Sequence, residues 1–504
     1  MGFKLAPIFS DNMVLQRDSE VVVWGKAESG DLLVGKICGQ KVETYAEDGE
    51  FRLIFKDLKA GGPFELEILS KDQEVIFNNV LVGEVWIAGG QSNMEFNLKD
   101  SIGAEKEIEQ SNYPDIRYYN VPDIVYENGD EVLPEGIIDT GWSIASPDTA
   151  AYYSAVAYHF AKNLYNDLKV PIGIVNCNKG GTSAASWMNE KYLAEDEELS
   201  EAYLEQYKKA IENLTDEEED RLTAEFYKSQ EDYNKREEEY KKKYPERSMA
   251  QLHGEIGSVP WPPPLGRKSY QRPCGLYKTK FRKITPFKVR GVIWYQGEED
   301  SAKPHLYKKL FSRLIKCWRE DLENPELPFV FVQLPMFNDE KLDTWQLVRD
   351  AQLYTYKNIR STSMIVTVDL GEAEDVHPKN KKTVGERLAL VARQDVYKEE
   401  IKGHSPIYNG YNIIGNKVEI NFDDVLPGEL IIKDDTELKG FEIYDKNRNL
   451  YPAKAYIVED RVIVSSDKVN EPIGVAYGWK NYVEINLFNN IGLPASPFNT
   501  LSKY

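Results

Sequence analysis

The sequence predicts an α/β protein with a central parallel sheet, flanked by β segments at both ends. Three observations lead there. From about residue 80 to 400, short apolar runs that suit strands buried on both faces alternate with stretches of helical periodicity. Before and after that region the chain is rich in alternating, β-branched runs separated by turn residues. Four of the central apolar runs end in glycine-rich or polar residues, at Ser92, Gly180, Gln296 and the segment after Val368. In an open parallel sheet such ends share one edge, where ligands bind.

Residues 1–80 are expected to form an N-terminal β domain. Residues 20–25, 36–38 and 50–55 read as short strands, and 64–69 alternates as a half-buried one. Ser29-Gly30-Asp31, Asp48-Gly49 and Gly61-Gly62-Pro63 supply the turns. Bracing its neighbour is the expected role of this domain. Residues 81–400 form the expected catalytic α/β domain, organised around residues 80–94. That stretch starts as a near-continuous apolar run and stops at Gly89-Gly90-Gln91-Ser92-Asn93. Glycines permit a sharp turn or a close approach, and a hydroxyl follows where the strand gives out. Ser92 is therefore the candidate nucleophile, although the same residue types also make an ordinary polar turn.

The spacing of Val156, Phe160 and Leu164 predicts a helix over 149–168. Residues 171–176 are the next buried strand, leading into the glycine turn at 177–187. A charged insertion over about 190–265 carries Tyr203, Tyr207, Ile211 and Leu214, then Leu222, Phe226, Tyr233 and Tyr240, at helical spacing, with Pro245 as the stop. It reads as a solvated helical hairpin and is expected to be a decoration without chemistry. Trp261-Pro-Pro-Pro-Leu265 follows as a stiff extended loop. Residues 287–295, 328–334 and 363–368 are three further strands. Residues 401–504 return to β character, and this C-terminal β domain is expected to pack on the N-terminal one as an accessory β domain, bringing both termini together.

A net charge of -21 argues against nucleic acid and anionic membranes as partners, since both are polyanions. No uncharged apolar run is long enough for a membrane span, and the N-terminus lacks the apolar stretch of a secretory signal, so a cytoplasmic location is expected. The 4 cysteines are widely spread without metal-ligand spacing, and neither metal nor cofactor is expected. A homo-oligomer is left open.

A serine nucleophile needs a base, and the base needs an orienting acid. Of the 5 histidines, His159 falls near the apolar stripe of a helix, His253 and His404 lie in polar loops, and His305 starts a helix. His377 differs, because it lies in the acidic loop 369–378 that follows a buried strand. A carboxylate just before it could take the Nδ1 proton: Asp375, two residues earlier, Glu374, three earlier, or the more distant Asp369. Oxyanion donors could come from the backbone N–H groups of Ser92 and Gly181 and the side-chain amide of Gln296.

Gly90-Gln-Ser-Asn-Met94, after Gly83-Glu-Val-Trp86, resembles the nucleophile block of sialate O-acetylesterases and related carbohydrate esterases of the SGNH hydrolase superfamily. Gly180-Gly-Thr-Ser-Ala-Ala-Ser-Trp187, Arg290-Gly-Val-Ile-Trp-Tyr-Gln-Gly-Glu298 and Asp375-Val-His-Pro378 resemble the second, third and histidine blocks. The likeness extends to residues 8–17, 440–443 and 492–498, and leaves out the charged insertion. It implies a three-layer α/β/α domain of SGNH type and a metal-free release of acetyl groups from sugar hydroxyls through an acetyl-serine intermediate. By that likeness Ser92 is the nucleophile, His377 the base, and Ser92, Gly181 and Gln296 the oxyanion donors. The wider superfamily places an aspartate three before the histidine, where this chain has Glu374, and an asparagine where it has Gln296. Related esterases share the Gln-Gly-Glu and Asp-x-His-Pro forms, so Asp375 is preferred as the acid and Glu374 is the runner-up. Trp187, Asn93 and Glu298 are expected at the substrate, Glu298 ordering its loop rather than reacting.

The substrate expected is an acetylated carbohydrate, either a sialate or a plant glycan such as xylan. Two rival classes remain at this stage. A glycoside hydrolase would use paired carboxylates from the abundant acidic residues. A non-catalytic glycan binder would use Trp187 and Trp294 as a sugar platform.

Overall fold

The computed structural model describes residues 2–71, 73–124, 126, 141–339 and 341–502. The strands that position the site are β1 (Val14–Gln16), β2 (Gly61–Ser70), β3 (Gln73–Gly90), β4 (Tyr113–Asn120), β5 (Trp142–Ala145), β6 (Ile172–Asn178), β7 (Gly291–Tyr295), β8 (Phe329–Gln333) and β9 (Thr362–Val366). The helices are α1 (Ser92–Glu95), α2 (Ala155–Leu168), α3 (Asp216–Lys243), α4 (Met249–Ile256), α5 (Pro304–Asp321), α6 (Trp345–Asn358) and α7 (Lys381–Asp395).

The central sheet runs β5-β4-β6-β3-β7-β8-β9. From β4 to β9 every pairing is parallel, whereas β5 joins β4 antiparallel at the edge. The expected parallel sheet is thus a mixed one, with its parallel part in the middle. Strand β3 explains the change of sequence pattern near residue 80. Its first half alternates between partly buried and exposed residues and pairs antiparallel with β2; its second half is buried throughout and lies between β6 and β7. The boundary expected at residue 80 falls inside this one strand, and Phe3, Val21, Leu53 and Ile68 share the main core with Trp86 and Trp294.

Successive residues of a strand face opposite sides. Trp86 accordingly meets Phe160 of α2 edge-on, with ring centroids 5.1 Å apart. Trp294 meets Trp318 of α5 in the same manner at 5.3 Å. Helices α5 and α6 pack together, as do α2 and α7.

The C-terminal strands do not join the N-terminal ones: among the described residues no strand of one segment pairs with a strand of the other. Val418, Ile443, Val464, Val475 and Phe498 build a second apolar cluster. Polar contacts seat it on β8 and α6 instead. Gln333 Nε2 donates to Ser496 Oγ at 2.9 Å, the Trp345 N–H donates to Asn481 Oδ1 at 2.9 Å, and Ser502 Oγ donates to Asp350 at 2.5 Å. The physical reason is that the N-terminal strands have already closed on β3, while the buried polar groups of β8 and α6 still require partners.

In the insertion, α3 has 28 residues. Thr215 caps it by accepting from Glu218 N–H, acidic residues fill its first turn, and Lys241–Lys243 close its last, the charge order that suits the helix dipole. It folds back on α4 through Tyr233, Tyr240 and Leu252. Among the described residues, no helix is long and apolar enough to cross a membrane.

Glu84 ties the distant parts together. Its side chain is fully buried and pairs with Arg17 and, at 2.7 Å, with Arg290. Gln16 Nε2 and the Tyr397 hydroxyl donate to the same carboxylate at 3.2 and 3.1 Å. Removing one partner of a buried charge cluster leaves the others uncompensated. Glu84→Ala is expected to lower stability by about 3 kcal/mol, at the low end of the range because both arginines keep some access to water, read as a shift in the denaturant midpoint.

Candidate active site

The site follows from a register. In the parallel ladder Asn178 of β6 and Tyr295 of β7 both lie opposite Gly90 of β3, so three strands end level with one another. Gly90 has φ +135°, and a first side-chain carbon there would lie 2.1 Å from the Tyr295 carbonyl oxygen, which only glycine avoids. Ser92 stands two residues beyond, at the start of the short helix α1. Gly181 follows β6 with φ +65°, and Gln296 follows β7 directly.

His377 comes from the loop after β9, between Val366 and Lys381. Its Nε2 lies 2.8 Å from Ser92 Oγ. Burial holds this imidazole below the ordinary histidine range; Lys381 pushes the same way and Asp375 opposes it. Asp375 Oδ1 accepts from the backbone N–H of His377 at 2.8 Å, which fixes the loop around the ring. Glu374 turns away, its Oε2 accepting from Met249 N–H at the start of α4 at 3.0 Å. Asp369 is committed to Arg387 by two contacts of 2.7 Å. Among the described residues, no carboxylate is hydrogen-bonded to the imidazole ring itself.

The backbone N–H groups of Ser92 and Gly181 make no hydrogen bond to the described residues, and both stay available to a ligand. Gln296 is different, and the expectation that it donates to an oxyanion is corrected here. Its side chain is fully buried, and Nε2 already donates to Thr182 O at 3.1 Å and to Asp300 at 2.6 Å, while Oε1 accepts from Tyr307. An amide nitrogen has two hydrogens, and both are used.

The three residues expected at the substrate are also elsewhere. Trp187 is 0% exposed, with its indole N–H on Thr182 Oγ1 at 2.9 Å; as a large apolar side chain it fills the core beneath the glycine turn. Trp294 is likewise buried. Asn93 is fully buried too, and its amide joins three motif blocks. Nδ2 donates to Glu298 Oε1 at 2.6 Å and to the Val376 carbonyl at 2.9 Å, and Oδ1 accepts from Lys381. Glu298 therefore orders its loop through Asn93 and faces no substrate.

Lys381 and Glu298 are two buried ionisable groups, both bonded to the Asn93 amide. Burial pushes the Lys381 ammonium down to about 7 and raises the Glu298 carboxyl, and each opposes the other's shift. Lys381 also lies 4.9 Å from the Phe96 ring centroid and 5.5 Å from that of Tyr295. Asp300 plays a matching part on the other side. It accepts from Ser183 Oγ at 2.5 Å, from Ala184 N–H at 2.9 Å and from Gln296, so it binds the second block to the third.

The insertion reaches this rim. Trp261 lies on Gly181: a first side-chain carbon on the glycine would sit 2.3 Å from Cη2 of the indole. Gln271 Nε2 donates to Gly181 O at 2.7 Å. The insertion is therefore more than a detached decoration. Sequence reasoning missed Lys381, Asp300 and Trp261. Asp300 ends the acidic run after β7, and Trp261 stands in the proline-rich loop already singled out; neither pattern reveals which side chain turns inward.

The chain matches the family model described as "Carbohydrate esterase, sialic acid-specific acetylesterase" over residues 82–260 and 255–394. It is 24% identical to a sialate O-acetylesterase of Mus musculus over 99% of this chain and 94% of that protein. It is 25% identical to a sialate O-acetylesterase of Rattus norvegicus over 79% of this chain and 74% of that one. Among solved structures, a carbohydrate acetylesterase from Xanthomonas citri superposes with a TM-score of 0.77 at 29% identity, covering 100% of both chains.

Asn93→Ala is expected to leave the fold intact and to lower ester turnover about 100-fold, because a displacement of about 1 Å between reacting groups costs that much. Steady-state kinetics beside a circular-dichroism melt checks it.

Proposed function

The chain belongs to the sialic acid-specific acetylesterase family of carbohydrate esterases, and from that premise we propose that it releases acetate from sugar hydroxyls with Ser92 as nucleophile and His377 as base. As a member of this family it is a carboxylic ester hydrolase. On this reading the helices packed on the central sheet form the three-layer arrangement of SGNH hydrolases.

The observation that carries the proposal is the 2.8 Å contact between His377 Nε2 and Ser92 Oγ, made by residues 285 positions apart in sequence. In the first half-reaction Ser92 Oγ attacks the acetyl carbonyl carbon as its proton passes to Nε2. The carbonyl oxygen becomes an oxyanion, held by the free N–H groups of Ser92 and Gly181. The C–O bond to the sugar then breaks, and the imidazolium returns its proton to the leaving sugar oxygen. Acetyl-Ser92 remains. In the second half-reaction water attacks that ester, His377 accepts the water proton, and acetate leaves as Ser92 regains its hydrogen. Asp375 stabilises the transient imidazolium by its charge and by holding the loop backbone. The buried amide of Asn93 keeps nucleophile and base in line.

Three outcomes test the mechanism. Ser92→Ala and His377→Ala are each expected to lower acetate release by at least about a thousandfold and to keep the wild-type melt; near-normal turnover by either variant removes the proposal. Asp375→Asn is expected to lose more activity than Glu374→Gln, because Glu374 faces α4. The pH profile supplies an independent sign. A base must be unprotonated, and the imidazole is held below its usual value of about 6.5, so the acid limb of kcat/KM should fall below that pH. Asp375→Asn removes a carboxylate that raises the value and should move the limb further down, whereas Lys381→Met removes a cation that lowers it and should move the limb up.

A further inference from the structure

The insertion adds a wall to the site whose chemistry differs from that of the reacting groups. The Trp261 ring lies on the Gly181 backbone and neighbours the Glu299 carboxyl. Even so, 40% of its surface remains exposed, the kind of open aromatic face that a buried core tryptophan such as Trp187 lacks. The neighbouring Gly180 is close to the nucleophile: a first side-chain carbon there would lie 3.3 Å from Cβ of Ser92. Gly181, whose N–H is available to the carbonyl oxygen of an ester, therefore brings the indole to the rim beside Ser92.

Two carboxyl groups border that position. Glu95, three residues after Ser92, is exposed and accepts from Gly180 N–H at 2.6 Å. Glu299 is held at the rim by Gln91, which accepts its backbone N–H at 3.3 Å, and by Gln271. Burial and the adjacent Asp300 push its carboxyl up to about 7. The ammonium groups that face these carboxylates are already engaged. Lys179 is paired with Asp123 at 2.6 Å, and Lys381 is buried on Asn93.

We infer that the sugar taken by this site is a neutral O-acetylated pyranoside, its C–H face resting on Trp261, and that Glu95 selects against sugars bearing a carboxylate. A pyranose offers an apolar face of axial C–H groups that an aromatic ring covers, while its hydroxyls suit carboxylate acceptors. A carboxylated sugar would bring a like charge against Glu95, and Lys179 and Lys381 are already engaged with Asp123 and Asn93, which costs affinity. This inference rests on the esterase reading above, and the experiment separates the two.

Wild type, Trp261→Ala, Trp261→Phe and Glu95→Gln are compared on 4-nitrophenyl acetate, on an O-acetylated neutral methyl pyranoside and on an O-acetylated sialic acid. Wild type is expected to prefer the neutral pyranoside over the sialic acid by at least about tenfold in kcat/KM. Trp261→Ala should lose at least about tenfold more on the neutral sugar, chiefly in KM, than it loses on 4-nitrophenyl acetate, and Trp261→Phe should retain most of the sugar activity. Glu95→Gln, which can still accept from Gly180, should narrow the preference between the two sugars. Equal losses of Trp261→Ala on all three esters would mark a merely structural tryptophan and overturn the inference, as would a wild-type preference for the sialic acid. Full activity of Ser92→Ala on 4-nitrophenyl acetate would instead sink the esterase reading itself.

Discussion

The level ending of three parallel strands at Gly90 is the constraint on which the rest of the site depends. A parallel ladder has one register once its buried faces are packed, because a slip of one residue would turn every core side chain to the wrong side. Here the ladder sets Asn178 and Tyr295 opposite Gly90. The close approach of the Gly90 backbone to the Tyr295 carbonyl then leaves no room for any side chain. From that point β3 needs two more residues to deliver Ser92, and β6 needs three to deliver Gly181. The geometry of the site is therefore paid for by the packing of Trp86 lower in the sheet and of Trp294 and Trp318 against Gly89.

The fourth contributor, the His377 loop, has no ladder to hold it level. The buried amide of Asn93 does that work. It is joined covalently to Ser92 and hydrogen-bonded to the carbonyl of Val376, the residue before His377. One side chain thus fixes nucleophile and base relative to each other, and its remaining bonds to Glu298 and Lys381 keep it from rotating. A fully satisfied polar group in a low-dielectric interior is rigid because every alternative leaves a partner unpaired. Lys381 has a second effect through its charge, since it favours the neutral imidazole that a base requires.

Much of this was legible in the sequence. The apolar runs at 80–90, 171–176 and 287–295 marked strands, and Ser92, Gly181 and His377 were found from the residue types at strand ends. What could not be read is which way a polar side chain turns. Gln296, Asn93 and Glu298 sit in the motif blocks and face inward to bind one block to another, because the backbone there leaves the ladder and its polar groups must find partners, while Trp187 turns inward onto Thr182 of its own block. Sequence spacing carries no sign for that. The same blindness hid Trp261: a tryptophan followed by three prolines reads as a stiff loop, but the position of the loop is set by where α3 and α4 leave it. The association of the two β ends failed for a related reason. Both segments have strand patterns, and pattern alone does not say that the N-terminal strands extend β3 while the C-terminal ones sit on Gln333 and α6.

The acidic loop that carries His377 also links the chemistry to the insertion. Glu374 holds the N-terminal N–H of Met249 in α4, while the next residue, Asp375, holds the N–H of His377. Two adjacent carboxylates therefore grip two different bodies, one inserted and one catalytic. The insertion touches the second glycine block as well, through Trp261 on Gly181. A body fastened on both sides of the nucleophile cannot shift without moving either the base or an oxyanion donor. The charged helices are solvated along most of their length, as their composition demands, yet the start of α4 is held by the residue next to the one that holds His377. Substrate selection and catalysis are in this way built from separate parts of the chain anchored on neighbouring residues.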